Sequence, residues 1–213
     1  MKRGPRAILA FFRVVYRICL RWSVTGRENV PETGPLIVVA NHVNLTDPIL
    51  LMLAMPRWVT YMAKKELFSI PIVGHVLRSA EVFPVARSGS FEDKRELMRR
   101  AEDLLSRGHI LALFPEGRRD NTGVLIEGRP GAAFLALHSG APLVPIAMLG
   151  TEHITSPLPL LRRPRVQVHI GKPFHLEHNA RRLSRSDATR LTDEIMHRIA
   201  ALMPPEQRGP YAD

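Results

Sequence analysis

Short, unbroken apolar runs separated by segments of helical period constrain this chain more than any other feature. LIVVA at Leu36–Ala40 follows Gly34-Pro35 and has the length and uniform apolarity of a buried strand. EVFPV from Glu81, HILALF from His109, APLVPIAML from Ala141 and RVQVHIG from Arg165 are also strand-like. Between them, Asp47-Pro48 supplies an N-cap and a proline at the first helical position, which opens a helix through Leu53. The segment from Ser90 places Leu97, Met98, Ala101, Leu104 and Leu105 on one helical face, and Gly108 ends it. A further helix runs from about Gly131 to Ser139, and a last one carries Leu191, Ile195, Ile199 and Leu202 at four- and three-residue steps. Strands alternating with helices predict an α/β domain, a central mostly mixed sheet flanked by helices, with an amphipathic helix at the N-terminus. The expected organisation is a membrane-associating helix over 1–25, one globular domain over 26–203 and a frayed tail over 204–213.

Composition narrows the partners. The 213 residues are 45% hydrophobic and carry 30 Lys plus Arg against 20 Asp plus Glu, a net charge of +10. That excess implies an anionic partner, and nucleic acid, anionic lipid and a phosphorylated substrate all fit it. Cys19 is the single cysteine, so an internal disulfide is excluded. The opening MKRGPRAILAFFRVVYRICLRW starts like a signal peptide, but Arg13, Arg17 and Arg21 interrupt its apolar stretch. Their four-residue spacing lines them along one helical face, and Ile8, Leu9, Phe11, Phe12, Val15, Ile18, Cys19 and Trp22 cover much of the rest. Such a helix suits a membrane interface, and it equally suits docking on the protein's own core. The uncharged stretch from Pro130 to Thr151 is broken by Gly131, Gly140, Pro142 and Pro145 and is not a transmembrane helix. SPLPLLRRPR, ending at Arg165, is expected as a surface loop facing an anion or membrane.

Three places carry candidate chemistry. His42 and Asp47 are five positions apart, which on a helix or a strand would point them away from each other. The strand, loop and capped helix around them supply the turn that lets Asp47 bond one imidazole nitrogen and leave the other free as a base. FPEGRRD, from Phe114 to Asp120, sets two arginines at a strand end, where α/β folds bind ligands. The guanidinium fork suits phosphate, although an Arg-Arg turn is also an ordinary solvated surface. Arg87 stands just past EVFPV. His169, His175 and His178 lack the carboxylate company of a metal site, so no metal is assigned.

NHVNLTD, EVFPVARSG, FPEGRRD and APLVPIAMLGT occur in that order, each at or beside a strand end. In this the sequence resembles the glycerolipid acyltransferase family that includes 1-acylglycerol-3-phosphate acyltransferases, from about Gly26 to Phe174. The resemblance implies that His42 is the catalytic base and Asp47 the carboxylate that orients it, with Asn41 beside them. It puts Arg87 in the second block. It associates Glu116, Gly117 and Arg119, with Arg118 between them, with the glycerol phosphate, and puts Pro145 in the fourth block. Two residues depart from the family pattern: Asn44 stands where serine is frequent and Arg118 where threonine is.

The activity implied is transfer of a fatty acyl group from acyl-CoA or acyl carrier protein to the free hydroxyl of 1-acylglycerol 3-phosphate, giving phosphatidic acid in phospholipid biosynthesis. No cofactor beyond the acyl thioester co-substrate is implied. The partners are a lysophospholipid acceptor and an anionic membrane surface, met peripherally or monotopically on the cytoplasmic side of the cell membrane. No zinc-finger spacing or RNP-type aromatic motif points to nucleic acid. Cys19 lies outside all four blocks and no G-x-S-x-G elbow is present, so direct transfer is expected rather than an acyl-enzyme. The sequence does not name the oxyanion donor; backbone N–H groups near the start of the helix after Asp47 are one place to look for it. The alternatives are an acyltransferase for another acceptor (glycerol 3-phosphate, another lysolipid, a glycolipid) and a non-catalytic basic protein that binds membrane or nucleic acid. The second does not require a paired His42 and Asp47.

Overall fold

A computed structural model of the protein describes residues 3–79, 82–85, 90–154, 163–177 and 184–212. Helix α1 (Arg3–Cys19) leads into β1 (Arg21–Thr25), β2 (Leu36–Ala40), α2 (Asp47–Ala54), β3 (Val59–Lys64), α3 (Pro71–Ser79) and β4 (Phe83–Val85). There follow α4 (Phe91–Ser106), β5 (Ile110–Leu113), α5 (Gly131–Ser139), β6 (Leu143–Leu149), β7 (Arg165–Ile170) and α6 (Arg185–Ala200). The strands form one sheet in the order β1-β7-β6-β2-β5-β3-β4. Every pair is parallel except β6 with β7, so the sheet is mixed, as the alternation of elements predicts.

The middle of the sheet explains LIVVA. Ile37 and Val39 face a core built with Ala101 and Leu105 of α4, Leu135 of α5 and Leu191 and Ile195 of α6. Leu36, Val38 and Ala40 face the opposite core, shared with Leu51 and Ala54 of α2. A strand covered on both faces must be apolar at every position, which is why this run shows no alternation. β1 and β3 escape that signal. β1 pairs only with β7, and its residues alternate between exposed and half-buried, as on an edge strand.

Two segments differ from the sequence reading. The N-terminal helix was expected through residue 25, but it stops at Cys19, and Arg21–Thr25 pair with Arg165–His169 as a strand. Arg21 and Trp22 therefore do not extend the helical faces. On α1 itself Leu9, Phe12, Val15 and Tyr16 pack with Leu50 and Leu53 of α2, so one face is docked on the protein's own core. Phe11, Val14 and Ile18 point elsewhere and are 63%, 59% and 64% exposed. The tail expected to fray is packed instead: Tyr211 is buried, its hydroxyl accepts the Gly128 N–H at 3.1 Å, and its ring meets His197 edge-on. Burial of an aromatic ring outweighs the chain-end entropy that the sequence suggested. Residues 155–162, most of the proline- and arginine-rich piece, lie outside the described residues. Among the described residues no helix is long and apolar enough to cross a membrane.

Candidate active site

β2 and β5 are parallel neighbours, so the segments that leave their carboxyl ends meet in space. His42 stands two residues beyond β2, and the chain must turn there to enter α2. Thr46, rather than Asp47, occupies the N-cap of α2 and makes no side-chain cap bond. Asp47 is the first helical residue, and its carboxylate turns back into the loop. Its Oδ2 accepts the N–H groups of Val43 at 2.7 Å and Asn44 at 2.6 Å, and lies 3.0 Å from Nδ1 of His42. An ionised carboxylate only accepts, so Nδ1 carries the proton and Nε2 keeps its lone pair. The imidazole lies against the ring of Phe114, with centroids 4.1 Å apart and planes 20° from parallel. One face of the base is thereby fixed, while Asp47 is wholly buried behind it.

The turn after β5 clasps the main chain of His42 from both sides. Oε1 of Glu116 accepts the His42 N–H at 2.9 Å, and the Asp120 N–H donates to the His42 carbonyl at 3.0 Å. Gly117 makes the turn possible with φ of 66°, and its N–H closes on the Phe114 carbonyl at 3.0 Å. A Cβ at Gly117 would also come within 2.7 Å of the Arg129 side chain, so the bare backbone is where Arg129 packs. Glu116 is 3% exposed, and burial pushes its carboxyl up to about 7. The N–H groups of His42 and Ile126 oppose that rise, and the negative Asp120 and Asp47 add to it. A recess of about 420 Å³ opens beside this turn, lined by Glu116, Arg118, Ile126, Glu127 and Arg129 among others. The side chains of Arg118, Arg119 and Arg129 form no ion pair or hydrogen bond with a described residue, and all three are exposed. Exposed guanidinium groups with no ion pair to a described residue are suited to an anion, although the charge of Arg118 also acts on the neighbouring Asp120.

The remaining candidates are placed as follows. Asn41, assigned by sequence to substrate, is buried with its carboxamide closed on Met148: Nδ2 donates to the Met148 carbonyl at 2.9 Å and Oδ1 accepts its N–H at 2.7 Å. From this buried position it ties the end of β2 to β6. Asn44 bonds the carbonyls of Thr151 and Ile154, which fastens the His42 loop to the turn after β6. Pro145 sits in β6 opposite Val39. Arg87 and His178 lie outside the described residues; His169 is in β7 and His175 beyond it. The N–H groups at the start of α2 are engaged within the fold, since Pro48 has no N–H and those of Ile49 and Leu50 both donate to the Thr46 carbonyl. Phe114 and Arg129 were missed. Phe114 lies inside the FPEGRRD block, but Arg129 comes from a loop whose return to the turn rests on its N–H donating to Pro115 at 2.8 Å, a contact with no local sequence signal.

Comparison with known proteins adds a family and a fold. The profile of the family described as Acyltransferase matches residues 21–149. A chloroplastic 1-acyl-sn-glycerol-3-phosphate acyltransferase of Brassica napus is 30% identical over 184 residues, 85% of this chain and 50% of its own. The 1-acyl-sn-glycerol-3-phosphate acyltransferase of Bacillus subtilis (strain 168) is 30% identical over 181 residues, 84% of this chain and 87% of its own. The chain thus spans about half the length of the plant relative and most of the bacterial one. The crystal structure of the 1-acyl-sn-glycerophosphate (LPA) acyltransferase PlsC from Thermotoga maritima superposes with a TM-score of 0.69 at 26% identity, covering 90% of this chain and 76% of that one.

Proposed function

Because this chain belongs to the acyltransferase family, we propose that it moves a fatty acyl group from a thioester donor to the free hydroxyl of 1-acylglycerol 3-phosphate, giving phosphatidic acid. The observation that carries this reading is the imidazole of His42, held through Nδ1 by a buried carboxylate and stacked on Phe114, with Nε2 left as a base. Nε2 takes the proton of the acceptor hydroxyl as its oxygen attacks the thioester carbonyl. The tetrahedral adduct collapses with cleavage of the C–S bond, and the imidazolium returns its proton to the departing thiolate. Proton transfer of this kind contributes about 10²- to 10⁴-fold, and Asp47 stabilises the imidazolium while it lasts. No cofactor enters the scheme, and acyl-CoA and acyl carrier protein both supply the thioester it needs.

Arg118, Arg119 and Arg129 hold the acceptor's phosphate in this reading, with Arg87 as a further candidate from the second block. Exposed Phe11, Val14 and Ile18 on α1, with Arg13 and Arg17 nearby, support a peripheral seat on the anionic cytoplasmic face of the cell membrane, where the acceptor resides. The test is thiol release by the purified protein from acyl-CoA and acyl carrier protein donors, offered a panel of acceptors. Release with 1-acylglycerol 3-phosphate and its loss in His42→Ala are expected. Preferential release with glycerol 3-phosphate or an uncharged acceptor would refute the acceptor assignment, and parent turnover in His42→Ala would refute the base.

A further inference from the structure

Glu116 is a buried carboxyl in an enzyme-like site that already has a base and an orienting acid. The family resemblance associates this position with the glycerol phosphate, but the geometry around it is poor for that task. A carboxylate placed against a phosphate repels it. This one is 3% exposed, and no described cation lies within ion-pairing distance of it. Its hydrogen-bond partner is a main-chain donor instead, the His42 N–H at 2.9 Å. That N–H belongs to the residue that carries the base. The segment beyond the turn that lines the arginine recess is tied down separately by the tail, through Leu125 N–H to the Gln207 carbonyl.

We propose that Glu116 is a positioning residue that acts through the His42 main chain, setting where the imidazole stands relative to the acceptor, and that it does not touch the acceptor itself. This rests on the reading of His42 as the base. The loop has few other ways to fix its height above the sheet. Asp47 orients the ring and the N–H groups of Val43 and Asn44. Asn41 anchors the strand end to β6. Among the described residues only the turn after β5 grips the peptide units of His42, through Glu116 at its N–H and through the Asp120 N–H at its carbonyl. A glutamine amide oxygen can still accept the His42 N–H, whereas alanine leaves that N–H with no side-chain acceptor. The charged groups facing Glu116 are Asp120 of its own turn, Asp47 of α2, and Arg118, Glu127 and Arg129 around the recess, with the His42 ring beyond them.

The experiment compares Glu116→Ala and Glu116→Gln with the parent and with His42→Ala. Thiol release gives kcat and acceptor KM, and the ring-proton NMR resonance of His42, identified by its absence in His42→Ala, reads the position of the base without turnover. In Glu116→Ala kcat should fall by about 10²-fold, the usual consequence of displacing a reacting group by about 1 Å, while acceptor KM stays within about threefold of the parent. Glu116→Gln, which keeps one acceptor, should recover part of the loss. The His42 resonance should shift strongly in the alanine variant and weakly in the glutamine variant. If Glu116→Ala does not fold, the glutamine variant decides the matter by its kcat and KM. A tenfold or larger rise in acceptor KM at parent kcat would overturn the proposal in favour of direct contact, and an unmoved His42 resonance in every folded variant would overturn it outright. Absence of acyl transfer by the parent would refute the proposed function alone, because the resonance still tests positioning.

Discussion

Replacing Asp47 by Asn tests the base more sharply than its removal does, because the structure dictates how the amide must sit. Three donors converge on one oxygen, Oδ2: two main-chain N–H groups at 2.7 and 2.6 Å and Nδ1 of His42 at 3.0 Å. An NH2 group cannot occupy that place, so the amide oxygen takes it and the NH2 goes to the position of Oδ1, which has no partner in its buried surroundings. The imidazole therefore keeps its tautomer. What is lost is the negative charge that faces the imidazolium during transfer. Unit charges about 4 Å apart at an effective dielectric of about 20 interact by about 4 kcal/mol, which corresponds to roughly 10³ in kcat. Asp47→Ala should cost more than this, because it also strands two N–H groups and frees the ring. The assay is thiol release under saturating acceptor, with circular dichroism to establish that each variant is folded. An Asn variant within about fivefold of the parent would mean that Asp47 only shapes the loop, and the charge argument would be wrong.

Three further outcomes are expected. Arg119→Ala and Arg129→Ala should each raise acceptor KM by about 10- to 100-fold with little change in donor KM, as for the loss of one charge-assisted bond of roughly 1.5–3 kcal/mol; an unchanged acceptor KM in both removes them from the phosphate. Glu116, raised from 4.5 to about 7 in the fold, binds its proton more tightly folded than unfolded, so its contribution to stability is greatest below pH 4.5 and is lost as pH rises to about 7. At 1.36 kcal/mol per unit this amounts to about 3 kcal/mol, and urea unfolding of parent and Glu116→Gln at pH 5 and pH 8 should show the difference between them changing by that order; a constant difference contradicts the buried carboxyl. Finally, serine at Phe11, Val14 and Ile18 together should weaken sedimentation with anionic liposomes at an unchanged melting temperature, whereas deletion of residues 1–19 should lower the melting temperature as well by uncovering Leu50 and Leu53. Unaltered sedimentation of the triple variant would refute the membrane face of α1.

What the sequence disclosed and what it withheld divide along physical lines. β2, β5 and β6 were legible because a strand buried on both faces must be written as an apolar run, and β7 because its buried Val166, Val168 and Ile170 alternate with less buried polar residues; β1, half exposed at the edge, was absorbed into the preceding helix. His42 and Asp47 were legible through the resemblance of NHVNLTD to a family block, because their spacing by itself only allows them to meet across a turn. The partners of Asn41 and Glu116 were not, since Met148 and the His42 N–H reach them only through the pairing of β2 with β6 and β5. Helix α1 marks the boundary between the two cases. Its period, about 100° per residue, tells which side chains share a face but not what covers that face. Leu9, Phe12 and Tyr16 form one sector and Phe11, Val14 and Ile18 another, and both are apolar in the sequence. Only the packing of Leu50 and Leu53 against the first distinguishes them. Docking thus accounts for one face of the helix only. The proposed membrane contact falls to the other, which is exposed and lies beside the sector that carries Arg13 and Arg17.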